Sequence, residues 1–199
     1  MINIFDIENY IKDYYEKNNP PENVYHSINH VEEVVEVVKQ IATFNKLSEK
    51  ETKLVIVAAW FHDIGHIEMW EGHEELGAKY AKNYLIPFGC SDSEIQIITD
   101  CIRVTAIPHN PKNLLEEIIC DADVSHIGSE NFFEKSKLLR KEIELRKKKF
   151  FSDLVWVKKN MDFVIQTNFY TNFGTEIFEK QKQINLKKLY EEYKLLSEK

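Results

Sequence analysis

The chain has 199 residues, 43% hydrophobic and 30% charged, with a formal net charge of −7. That size and balance suit one globular domain with a filled core and exclude a disordered or fibrous chain. The acidic charge argues against broad nucleic-acid or anionic-membrane binding, which need basic surface, but leaves open a phosphate substrate held through a metal.

Apolar residues recur at helical spacing, Gly and Pro are scarce, and strand-like alternation is nowhere sustained, so the expected fold is an all-α multi-helix bundle. A first helix is predicted over residues 4–18, stopped by Asn19-Pro20-Pro21. A loop then carries Val24-Tyr25-His26-Ser27, and the next helix has Val31, Val34, Val35, Val38 and Ile41 on one face. Ser48-Glu49-Lys50-Glu51 has the pattern of a capping box and opens the most apolar helix, LVIVAAWFHDIG, which Gly65 ends or loosens. Residues 73–85 read as a helix closed by Pro87 and Gly89. A second capping-box pattern at Ser91-Asp92-Ser93-Glu94 starts a helix reaching Ala106. Pro108 and Pro111 bracket a loop with His109, and residues 114–126 read as helical up to Gly128. Two or three further helices follow Phe132, and the basic run Arg140-Lys141 with Arg146 to Lys149 reads as a solvated helix face. With no repeat, linker or composition break, the chain reads as one domain over 1–199, its core at about 20–130 and a helical extension after it.

Cys90, Cys101 and Cys120 form no CxxC pair, and their odd number suits no closed disulfide framework, so they read as reduced thiols. The N-terminus carries acids where a signal peptide needs bases, and no apolar run approaches the roughly 20 residues that span a bilayer. The expected location is cytoplasmic, with no membrane and no nucleic-acid partner.

Seven histidines occur, six of them between residues 26 and 109. An imidazole and a carboxylate at the end of a helix as apolar as residues 54–61 need partners, and a metal is one such partner. His30 precedes Val34 and Val38 on the same helix face, so it points inward; Asp121 and Asp123 follow Ile118-Ile119 and need compensation in the same way.

The order His30, His62-Asp63, Asp123 resembles the H…HD…D signature of the HD-domain superfamily of metal-dependent phosphohydrolases. Tyr25-His26-Ser27-Ile28-Asn29-His30 resembles its YHxxxH word, Phe61-His62-Asp63-Ile64-Gly65 its FHDIG word, and Asp121-Ala122-Asp123 its closing DAD word. The resemblance covers about residues 20–130. It implies that His30, His62, Asp63 and Asp123 ligate a divalent ion (Mn, Mg, Fe, Ni, Co or Zn), with Asp121 in reserve. Asp63 then also holds the water that the ion activates against phosphorus. In the cyclic-nucleotide phosphodiesterase branch a His four residues before the first ligand protonates the leaving oxygen, and His26 stands there; a loop His bonded to backbone is the competing reading. His73 in Gly72-His73-Glu74-Glu75-Leu76 and His109 after Pro108 resemble the extra histidines of binuclear members, implying a second ion or a phosphate contact. His66 reads as a support for the ligands or an exposed residue, His126 as capping or packing, and Arg103 and Lys79 as phosphate partners or solvated charges. Tyr170 and Trp156 read as pocket walls or core. The resemblance implies a phosphomonoesterase or phosphodiesterase acting on a small nucleotide-like substrate. The alternatives are a mixed-valent di-iron oxygenase of the same superfamily and a metal-binding regulator without catalysis. Oligomeric state is not legible.

Overall fold

The computed structural model describes residues 3–198, and among them there are nine α-helices and no strand. α1 (Ile4–Asn18) starts where the Asn3 side chain accepts the Phe5 amide hydrogen and ends before Pro20. α2 (Ile28–Phe44) buries His30 together with its valine stripe. α3 (Glu49–Phe61) opens in a complete capping box, Ser48 accepting from the Glu51 amide while Glu51 accepts from the Ser48 amide. α4 (His73–Leu85), α5 (Asp92–Arg103) and α6 (Leu114–Asp123) follow, and α5 opens in the second capping box, Ser91 with Glu94.

Every residue from Leu54 to Phe61 is buried. A helix apolar on all sides is stable only with neighbours on all sides, and α3 is packed by α1, α2, α4, α5 and α6. It therefore forms the axis of the bundle, and whatever follows Phe61 is delivered to the interior.

Three boundaries differ from the sequence expectation. α6 stops at Asp123 rather than residue 126 and passes into a 3-10 turn at Ser125–Gly128. α5 stops at Arg103 rather than Ala106: Pro108 disfavours a helical Ile107, and Thr105 Oγ1 donates to Ile102 O. α3 stops at Phe61, so His62 (φ −56°, ψ −41°) and Asp63 (φ −105°, ψ 1°) lie on its exit, ahead of a 3-10 turn at Ile64–Ile67. Gly65 permits that exit, because a Cβ there would fall closer than 3.0 Å to the backbone of His73.

The C-terminal extension consists of α7 (Phe132–Lys147), α8 (Asp153–Gln166) and α9 (Glu179–Ser197), the last preceded by a π turn at Gly174–Phe178. It has a core of its own, including Val124, Ile127, Phe132, Met161 and Leu189, and Phe178 packs against both cores. Trp156 belongs to this second layer, its Nε1 donating to Ser136 Oγ. The basic run is more than a solvated face. Arg146 donates to Asn23 Oδ1 and His66 O, and Arg140 pairs with Glu144 and Asp153.

Asp121 ties the two layers together. It is fully buried and accepts hydrogen bonds from Tyr170 N (2.8 Å), Thr171 N (2.8 Å) and Thr171 Oγ1 (2.7 Å). Burial pushes its pKa up, although the Thr171 hydroxyl and the two amides pull the other way. Asp121→Ala strands these donors and is expected to destabilise the fold by about 3 kcal/mol in chemical denaturation while leaving metal affinity intact. Wild-type stability with weakened metal binding would return Asp121 to the ligand set.

No helix among the described residues is long and apolar enough to cross a membrane. All three cysteines are free; Cys101 and Cys120 are buried, and burial pushes the Cys101 thiol up to about 12.

Candidate metal centre

The inner face of α2, the exit of α3 and the end of α6 converge on one point. His30 Nε2 lies 3.3 Å from Asp63 Oδ2 and 3.3 Å from Asp123 Oδ1. His62 Nε2 lies 3.4 Å from Asp63 Oδ2 and 3.6 Å from Asp123 Oδ1. Ligand bonds of about 2.0–2.2 Å place neighbouring donors about 3.0–3.5 Å apart, so these four atoms match the edges of a coordination shell. His62 and Asp63 are 0% and 4% exposed, yet His62 Nε2 and Asp63 Oδ2 have no hydrogen-bond partner. Two buried orphans facing each other cost several kcal/mol unless something fills the space between them.

Local structure selects the tautomer. His62 Nδ1 donates to Ala59 O at 2.7 Å, so the Nε2 lone pair faces the cluster, the orientation a ligating histidine needs. Burial opposes charge on His62, but Asp63 and Asp123 outweigh it and raise its pKa well above the ordinary value. Burial likewise opposes ionised Asp63 and Asp123, and the facing histidines hold both well below the usual carboxylate range. A proton and a divalent cation at His62 Nε2 would therefore compete for the same carboxylates.

His73 is built in the same way as His62. Its Nδ1 donates to Trp70 O at 2.9 Å, and its Nε2 lies 3.6 Å from Asp63 Oδ1 and 3.4 Å from Glu74 Oε1. Asp63 therefore turns one oxygen toward His30 and His62 and the other toward His73. His66 lies between His26 and His73, with ring centroids 3.9 Å from His26 and 3.6 Å from His73. Asp63, His66 and His73 have ligand atoms within 4.8 Å of one another, as do His30, His62 and Asp123. Burial, reinforced by His26, pushes the His66 pKa down to about 2, so that ring is neutral.

The remaining sequence candidates lie elsewhere. His109 directs Nε2 to Thr105 O at 3.1 Å and is in neither group; Tyr170 Oη donates to its carbonyl. Arg103 is held by Glu75 at 2.6 and 3.1 Å. Sequence reasoning missed Glu142 of α7, which is fully buried against Tyr25 and His26, and Trp70, whose ring lies edge-on to His26 and His66. Glu142 sits among Lys and Glu residues and gives no local signal.

His126 packs beside Tyr25, with Nδ1 3.2 Å from Tyr25 Oη. Burial and the neighbouring His30 push its pKa down to about 4 from 6.5. The unfolded chain then binds a proton that the native state refuses, so this residue lowers stability as pH falls from about 6.5 to about 4. His126→Gln removes that effect. Between about pH 7.5 and about pH 5 the wild type is expected to lose more thermal stability than the variant, and equal losses would refute the assignment.

The HD-domain family model matches residues 27–128, just over half of the chain, a span that includes His30, His62, Asp63 and Asp123. None of the curated proteins matches. Among solved structures, one described as a predicted HD superfamily hydrolase from an uncultured Thermotogales bacterium aligns with a TM-score of 0.56 at 22% identity. The alignment covers 81% of this chain and 87% of that one, a likeness of fold. With the family match resting on the segment that carries the four converging donors, the chain belongs to the HD-domain family.

Proposed function

We propose that the protein is a cytoplasmic metal-dependent phosphohydrolase, a phosphomonoesterase or phosphodiesterase acting on a small nucleotide-like ester. The observation that carries this reading is the pair of buried unpartnered atoms, His62 Nε2 and Asp63 Oδ2, inside a shell completed by His30 and Asp123. Family membership supports it, as does the solved relative described as a hydrolase. A divalent ion in this shell supplies Lewis acidity toward a phosphoryl oxygen and makes water acidic enough to attack at neutral pH.

The chain's own residues do the rest. Asp63 Oδ1, turned toward His73, is placed to orient the attacking water. His26, 14% exposed at its side chain, stands at the rim of the cluster and protonates the leaving oxygen. Tyr25 stacks near His30 and keeps bulk water from that side. Asp63, His73 and Glu74 would hold a second ion were the centre binuclear.

Asp63, with Oδ2 toward His30 and His62 and Oδ1 toward His73, also suits a di-iron oxygenase. Metal analysis separates the readings: turnover of nucleotide and aryl phosphate esters with Mn or Mg supports hydrolysis, while bound iron with oxygen consumption and no ester turnover replaces it with oxidation.

A further inference from the structure

Glu142 is fully buried on α7, a helix otherwise rich in exposed Lys and Glu. A carboxylate there is tolerable only if its oxygens are used. Oε2 accepts the backbone amides of Tyr25 (2.7 Å) and His26 (2.9 Å). Oε1 is 2.5 Å from His26 Nδ1. One side chain therefore fixes both the loop that carries His26 and the rotation of its imidazole. With Nδ1 committed to Glu142, Nε2 has no hydrogen-bond partner among the described residues and is not sealed from solvent. The ring is stacked face to face on His66 at an interplanar angle of 16°, and Trp70 meets it edge-on at 5.8 Å.

We infer that Glu142 is the positioning residue of His26, supplied by the C-terminal extension to hold the imidazole with Nε2 aimed at the leaving oxygen of a phosphate ester. This rests on the hydrolase reading above. As the ester bond breaks, its electron pair passes to the leaving oxygen, and the proton on His26 Nε2 moves to that oxygen. The oxygen of water forms the new bond to phosphorus, the protons it sheds go to solvent, and His26 regains its proton from solvent. The products are an alcohol and a phosphate. Throughout, the Nδ1 proton stays against Glu142, whose negative charge favours the imidazolium that precedes transfer.

The inference predicts dependence on the leaving group. An alkyl or nucleoside ester needs a proton on its departing oxygen, whereas a nitrophenyl ester leaves nearly unaided. Glu142→Gln is expected to lower kcat on the alkyl ester by about 100-fold, with a loss on the nitrophenyl ester at least about ten-fold smaller. His26→Gln should show the same pattern, and the double variant should lose little beyond either single one, because the two act in series. Equal losses on both esters would overturn the inference. Should Glu142→Gln fail to fold, His26→Gln, which leaves both backbone bonds of Glu142 in place, carries the ester comparison. A wild type that turns over neither ester refutes the hydrolase reading instead. The pairing is then decided by nitrogen-edited NMR of the full chain: a strongly deshielded proton on His26 Nδ1 upholds it, and a proton exchanging freely with water rejects it.

Discussion

Asp63→Ala is expected to lower kcat/KM for phosphate-ester hydrolysis by about 1,000-fold or more, with helical content by circular dichroism close to wild type. Loss of a single preorganised electrostatic group costs about 10²–10³ in rate, and Asp63 serves two groups at once: Oδ2 faces His30 and His62 while Oδ1 faces His73. The fold should survive, because Asp63 lies on the exit of α3 rather than within it and its Oδ2 has no hydrogen-bond partner to lose. The substitution also removes one buried orphan, Asp63 Oδ2, so the metal-free variant has less unsatisfied charge to bury. Retained turnover in a folded Asp63→Ala protein would refute the mechanism. Collapse of the helical signal would show that Asp63 has a structural role that its lack of hydrogen bonds does not indicate.

The second large effect is thermal. An ion that binds only the folded shell adds about 2.7 kcal/mol at one hundred times its dissociation constant. For a chain of this size each kcal/mol moves Tm by about 2–4 °C, so saturating Mn is expected to raise Tm by about 5–10 °C over the chelated protein. His62→Ala should abolish that shift, since Nε2 is the donor that the Ala59 carbonyl orients for the ion. An ion at Nε2 also competes with protonation of His62, which Asp63 and Asp123 favour. Metal binding therefore releases protons, and the shift measured by scanning calorimetry should be larger at about pH 8 than at about pH 6. A shift of equal size in His62→Ala would place the ion elsewhere.

Much of this was legible because it is local. The two capping boxes are four-residue patterns, and both formed as written. The fully apolar run ahead of His62-Asp63 announced a central helix, and α3 is that helix. His30 was placed inward by its spacing from Val34 and Val38, and it is buried. The choice between Asp121 and Asp123 was harder, since both stand in one three-residue word. Residues two apart on a helix point to nearly opposite sides. Asp123 accordingly reaches the histidines, while Asp121 turns to the segment at Tyr170 and Thr171.

The sequence by itself determined the helical class and the family, and it placed His30, His62-Asp63 and Asp123 in the order of the family's motif words, since periodicity, caps and motif words all lie within a few turns of chain. Only the tertiary structure decided which partners those donors meet. It brought Glu142 to His26 across 116 positions, set His66 between two other imidazoles, and left His109 in the loop after α5, bonded to Thr105 O. The reason is physical: a buried carboxylate is stabilised by whatever donors the packing of distant helices presents to it, and no local pattern around Glu142 records that His26 will be there.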